Sequence, residues 1–290
     1  MGAIYRKELR SYFNGMTGAI FVSFILLIAG IYIAELNFNQ AYSSFDYSIS
    51  MISFVYLPAI PVLTMRSLAE EKSTRTDQLL YSLPLSLTQI IIAKYLAIVT
   101  VLAVPMVILG IVPLIMSMYG SVHFVVAYSA IFATFLLGCA LAAVGMFISS
   151  TTESQVISAV ISIAVFFAFY IMNGIVTMIP TTAVSNMILF GCVALVAAIL
   201  LYVLTKNVFV SGSVGIVLVT IDVGLFIWNK TMFEGSFAKM LSAFDVFGKV
   251  NYFYQSIFDL SAVVYYLSIV ILFVFFTIQS MEKKRWSEVD

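Results

Sequence analysis

The sequence predicts an all-α integral membrane protein: a polytopic helical bundle of about eight transmembrane helices, with an interfacial amphipathic helix at its N-terminus. Three observations carry that prediction. Of 290 residues, 62% are hydrophobic and 10% are charged, and the mean hydropathy is +1.10; a soluble domain is nearer ~45–50% apolar and ~25% charged. The apolar residues fall in runs close to the ~20 that cross a ~30 Å hydrocarbon layer. Those runs lack period-two alternation and are too long for barrel strands, so helices are the way to satisfy the backbone within a bilayer.

The elements follow in order. In residues 1–15, Tyr5, Leu9, Tyr12 and Phe13 recur at helical spacing, continued by Met16, while Arg6, Lys7, Arg10 and Asn14 fall on the other side. That pattern predicts a helix lying on the headgroups. A signal peptide is the competing reading, but the apolar run is long, Glu8 interrupts the basic end, and no small-x-small site follows Ala34. Spans are expected near 17–36, 49–65, 93–118, 124–148, 155–178, 185–205, 211–228 and 261–280, inside one transmembrane domain covering 1–290.

Span seven is the weakest. Its Val, Ile, Leu and Phe residues contribute roughly −3 to −6 kcal/mol to insertion, whereas Asp222 opposes it by about 2.5–3.5 kcal/mol. This buried charge is read as paired within the bundle rather than as a substrate contact. Residues 233–260 are aromatic but punctuated by Glu234, Lys239, Asp245, Lys249 and Asp259, which predicts short interfacial or re-entrant helices on the extracytoplasmic face.

Lysine and arginine set the orientation. With the N-terminus inside, Arg6, Lys7, Arg10, Arg66, Lys72, Arg75, Lys94, Lys206, Lys283, Lys284 and Arg285 are cytoplasmic, and only Lys230, Lys239 and Lys249 lie opposite. This positive-inside bias needs an even number of spans and puts both termini in the cytoplasm of a multi-pass cell-membrane protein.

Several functions are excluded or disfavoured. Fourteen basic residues against 14 acidic ones leave no net charge and no nucleic-acid footprint. Cys139 and Cys192 sit in apolar runs without metal-ligand spacing and read as packing residues, so no metal site is expected. The chain lacks a G-x-x-x-x-G-K-[ST] phosphate loop, an H-E-x-x-H and a G-x-S-x-G, and its one histidine, His123, falls in a turn. An enzyme is therefore not expected.

The distinctive segment is 66–94. Its first half reads as a helix extending span two into the cytoplasm, supported by Glu71 and Arg75 at i,i+4. Leu79, Leu80 and Leu83 give that helix an apolar end, and Pro84 stops it. Ser86 or Thr88 then caps a second helix running through Lys94 into span three. Here the chain resembles the membrane subunits of ABC-2-type transporters, in particular stand-alone permeases. The matching residues are Glu70, Glu71, Lys72, Thr76, Leu79, Leu80, Pro84, Ser86 and Lys94; the departures are Arg75 in place of the usual glycine and Gln78 in place of glutamate. The resemblance extends to Tyr5–Leu9 and to Asp259–Trp286.

It implies the permease subunit of an ABC exporter. In that family the membrane subunits dimerise, as homo- or heterodimers, around the pathway, and the inner loop docks in a groove of a separately encoded ATPase. ATP and magnesium would bind the ATPase, and this chain would hold no cofactor. Glu70, Glu71, Arg75, Leu79, Leu80, Leu83 and Pro84 would form the coupling element. Family members usually have six spans, so the pair at about 185–228 would be an addition.

Polar stripes add a second clue. Gln155, Ser158, Ser162 and Asn173 share a face of span five, and span two carries Ser53 and Thr64 beside Pro58 and Pro61. Such stripes fit a substrate path and interhelical hydrogen bonding equally; in the resembled family these two helices line the path. Two other functions compete. One is a non-transporting membrane anchor or assembly factor that recruits a cytosolic partner. The other, a secondary transporter, predicts inverted repeats and more buried charge than this chain carries.

Overall fold

The computed structural model describes residues 1–40, 44–76, 86–254 and 259–287, and among these there is no strand. Among the described residues eight helices are long and apolar enough to cross a membrane, one for each predicted run. The chain is a multi-pass, all-α membrane protein.

Helix α1 (Gly2–Asn14) ends at Gly15, and Met16 in the left-handed region turns the chain into α2 (Thr17–Tyr32), which a π-helical stretch, Ile33–Asn39, prolongs. Helix α3 (Phe45–Thr64) gives way at Met65 to α4 (Arg66–Ser73). Next come α5 (Leu87–Leu109), the single turn α6 (Val112–Met116), α7 (Phe124–Thr151), α8 (Gln155–Met178), α9 (Ala183–Thr205) and α10 (Val208–Trp228). Two short helices, α11 (Ser236–Ser242) and α12 (Asn251–Tyr254), precede α13 (Leu260–Ser287).

Span two starts at Phe45, four residues before the predicted run. Ser86, one of the two predicted caps, accepts from the Gln89 amide (3.4 Å), and the helix it starts at Leu87 runs through Lys94 into span three as one element. Pro58 and Pro61 sit inside α3 without ending it. Helix α1 also does more than float on headgroups. Ile4 packs against Leu87, Ile90 and Ala93 of α5, and the Tyr5 hydroxyl reaches Thr100 (2.9 Å). Phe13 and Met16 remain exposed.

The described residues form two compact units, Met1–Ala168 with Val246–Asp290, and Phe169–Asp245; α8 contributes to both. In the first, α7 is the central helix, packed by α3, α5 and α13. Small residues permit this. A methyl on Gly138 would press on the Tyr56 ring, and one on Gly145 would collide with the Thr64 side chain, so both glycines let α3 approach α7 at backbone distance. Gly138 and Gly145 lie two turns apart on the α3-facing side, with Ser149 one turn further. Most outward side chains of the other spans are large and apolar, as expected of a lipid-facing surface.

In the second unit α9 and α10 form an antiparallel hairpin. Its end is closed by a 3-10 turn, Lys230–Phe233, and by α11. Phe190 meets Phe233 and Phe237 edge-on, and Phe226 meets Phe233. Buried Asn186 donates to the Thr182 and Pro180 carbonyls (2.9 and 3.2 Å) and accepts from the Phe237 amide (3.3 Å). Gly235 takes a positive φ of 67°, which glycine adopts without strain, and its amide donates to the Thr181 carbonyl (3.1 Å). Residues 233–260 hold short helices where they are described.

Candidate functional site

The segment singled out by its charges is described up to Thr76 and again from Ser86. Leu79, Leu80, Leu83 and Pro84 lie outside the described residues. What the structure does describe is how the segment is anchored.

The break at Met65 gives α4 a free N-terminus, whose first amides lack carbonyl partners. Helix α7 supplies one. Fully buried Ser149 accepts from the amides of Leu68 (3.2 Å) and Ala69 (3.0 Å) and donates to the Met65 carbonyl (3.1 Å). One hydroxyl therefore spans the α3–α4 junction from a neighbouring helix. The next residue of α7 holds α4 again: the Lys72 ammonium, 8% exposed, donates to the Ser150 carbonyl.

Two ion pairs fix the remaining faces of α4. Arg66 forks onto Glu70, Nε to Oε2 at 2.9 Å and Nη2 to Oε1 at 2.8 Å, while Nη1 donates to Thr17 at the start of α2 (2.8 Å). Both side chains are more than a third exposed, so this pair within α4 adds little stability, and the bond to Thr17 is what ties this face to α2. Lys94 is different. It is 2% exposed, and its ammonium donates to Glu71 (2.7 Å), Glu8 (3.1 Å) and the Ser67 carbonyl (3.1 Å). With three acceptors around three protons the lysine is fully satisfied. A single cation thereby joins α1, α4 and α5. The second Glu71 oxygen and the Ser67 hydroxyl are buried without partners, so the cluster is tight and leaves unused hydrogen-bonding capacity. Tyr12 of α1, buried beside these carboxylates, has its phenol pushed well above the usual range by burial and stays neutral.

Arg75 takes a positive φ of 56° just after α4. That backbone conformation suits the glycine found there in the resembled permeases, so the arginine occupies a glycine's geometry.

The pathway candidates are dispersed. Ser53 is hydrogen-bonded to the Tyr254 hydroxyl (3.0 Å), which also meets Thr134 of α7 (2.9 Å). Thr64 is buried, bonds its own Ile60 carbonyl (3.0 Å) and packs on Gly145. Gln155 is half-buried, while Ser158 and Ser162 are fully buried with no hydrogen-bond partner. Asn173, in the other unit, donates to Asp245 (2.9 Å). Asp222 is half-buried in α10, and the expected partner within the bundle is not found among the described residues.

Sequence reasoning missed Glu8, Thr17, Ser149 and Ser150. A signal existed for three of them: Glu8 is an acid within a basic helix, and Ser149–Ser150 end an otherwise apolar run. Among the described residues no group of His, Cys, Asp and Glu is placed to hold a metal ion.

The family described as ABC-2 family transporter protein matches residues 3–190. That stretch contains α1 to α8 and every member of the Lys94 and Ser149 clusters. No curated protein matches the chain.

Proposed function

The chain belongs to the ABC-2 transporter family, and we propose that within it this protein is the transmembrane permease subunit of an exporter driven by a separately encoded ATPase. Transport as the general role follows from the family. Export, the partner ATPase and a dimer of permeases are the finer reading. The observation that carries it is the anchoring of α4. An ordinary loop between two spans needs no buried lysine holding three helices together. A lever that receives force from a cytosolic subunit does, because displacement at its tip must reach the bundle rather than dissipate in the loop. Lys94 and Ser149 connect α4 to α1, α5 and α7. ATP and magnesium would be held by the ATPase, whose closure would tilt α4 and, through it, α3.

On this reading Leu79, Leu80 and Leu83 fill a groove of the ATPase, with Glu70, Glu71 and Arg75 setting register. Apolar anchors at an interface commonly contribute more than ~1 kcal/mol each, and rim charges less. Leu79→Ala combined with Leu80→Ala should therefore release the ATPase on co-purification and abolish stimulation of ATP hydrolysis by the permease, with membrane insertion unchanged. Retained co-purification and stimulation would reject the coupling role and favour an anchor that binds its partner elsewhere.

The cytoplasmic placement of both termini and of α4 rests on the lysine and arginine distribution. A cysteine introduced by Ser73→Cys should react with an impermeant thiol reagent only after cells are opened, and one introduced by Ser236→Cys should react in intact cells. The reverse pattern would invert the assignment.

A further inference from the structure

We propose that the α9–α10 hairpin is a docking surface for a transmembrane helix of another membrane protein, one carrying a lysine or arginine at the depth of Asp222. Helix α10 is one of the eight membrane-crossing helices, and at the helical rise of ~1.5 Å per residue Asp222 lies about 9 Å below Trp228, inside the apolar part. The α10 residues that turn toward α9 include Ser211 and Gly215, both buried, and Asp222 continues that side but is only half-buried. Facing it is Gly191 of α9, where an added methyl would come 3.8 Å from the Asp222 carboxylate. The glycine leaves a notch beside the half-buried acid.

An ionisable side chain at this depth is costly and in membrane proteins pairs with another polar group or faces water. Among the described residues Asp222 has neither an ion pair nor a hydrogen bond. Lys230, the nearest cation along the chain, is turned onto the Phe226 ring, 5.7 Å from its centroid. Among the described residues a second copy of this chain offers no uncommitted cation within the interior of its spans: Lys72 donates to the Ser150 carbonyl, Arg66 to Glu70, and Lys94 to Glu8 and Glu71; Lys283 ends the last span, Lys206 follows the opposite end of α9, and Lys230, Lys239 and Lys249 lie outside the spans. Charge complementarity therefore selects a different polypeptide. The surface around Asp222 suits a helix: Ile188, Val193, Leu195, Ile221 and Leu225 are large, apolar and exposed. Most of the hairpin also lies beyond the stretch that matches the family.

The test uses the full-length protein in liposomes and two synthetic probes. One is a tryptophan-flanked polyleucine transmembrane peptide with a single lysine about 9 Å from its end; the other has leucine at that position. Binding is read by energy transfer from labelled peptide to labelled protein. The lysine peptide is expected to bind about tenfold more tightly than the leucine peptide, the scale of a strong polar contact between membrane helices. Asp222→Asn should erase that difference, and Asp222→Glu should retain it. Gly191→Leu, which fills the notch, should weaken the lysine peptide toward the leucine one. Helical content and monodispersity of each variant establish that it is folded. Equal binding of the two peptides to the unaltered protein, or a lysine preference that survives Asp222→Asn, would overturn the proposal. So would self-association of the protein that falls with Asp222→Asn, since that assigns the acid to a second copy.

Discussion

Lys94→Met is expected to lower the stability of the protein by about 3–5 kcal/mol and to free α1 from the bundle. Methionine matches the length of the lysine stem but removes the cation that bridges Glu8 and Glu71. Those carboxylates are 13% and 16% exposed, and the lysine 2%. Removing one member of a buried ion pair costs ~3–5 kcal/mol because the remaining charge has lost its counter-ion and cannot regain water. Here two carboxylates and the Ser67 carbonyl lose their donor together. The contacts left to α1 are those of Ile4 and Tyr5 with Leu87, Ile90 and Ala93, the Tyr5–Thr100 bond and the buried Tyr12. The check is melting of the detergent-solubilised protein, with limited trypsin digestion at Arg6, Lys7 and Arg10. The variant should melt lower and be cut early in α1. Adding Glu71→Gln should recover part of the loss, since it removes one unpaired charge; the pair will not be additive, because both changes act on one cluster. A variant that melts and digests like the unaltered protein would show that the cluster is not a fastening.

Ser149→Ala is expected to detach α4 while leaving α3 and α7 in place. The hydroxyl accepts two amides and donates to one carbonyl, all inside the bundle. Deleting it leaves those buried backbone groups unmatched, at about 1–3 kcal/mol for such a group. Alanine fits the space, so packing changes little. The expected result is faster amide hydrogen exchange at Leu68 and Ala69, with exchange in the middle of α3 unchanged. In the reconstituted complex ATP would still be hydrolysed, but transport would fall, because the lever would move without the bundle. Ser149→Thr, which keeps the hydroxyl, should restore slow exchange. Unchanged protection of Leu68 and Ala69 in the alanine variant would remove Ser149 from the coupling mechanism.

The candidate site was half legible before the fold was known. Glu70, Glu71 and Lys94 stood out because charges are conspicuous against a background that is 62% hydrophobic. Their partners did not. Glu8 and Lys94 are far apart in sequence, and nothing in either local pattern indicates that α1 lies along α5. Thr64 and Ser53 looked alike as polar residues on one span, yet one packs on Gly145 and bonds its own helix while the other meets Tyr254 from a distant segment. Asp222 was expected to be paired because intramembrane acids usually are; among the described residues it is half-buried beside Gly191 with no ion pair.

Run length and composition alone were enough to establish an all-α membrane protein of eight spans, because crossing a bilayer is a local requirement: about 20 apolar residues in succession, whatever their neighbours. The 66–94 motif was likewise sufficient to point to the family. The tertiary structure alone decided which polar groups meet. Helices of similar hydropathy differ in rotation, tilt and depth, and these are set by a few small residues such as Gly138 and Gly145 that let two backbones approach. A change of one position in that register would turn Ser149 away from the Leu68 and Ala69 amides and leave the hydropathy profile as it is.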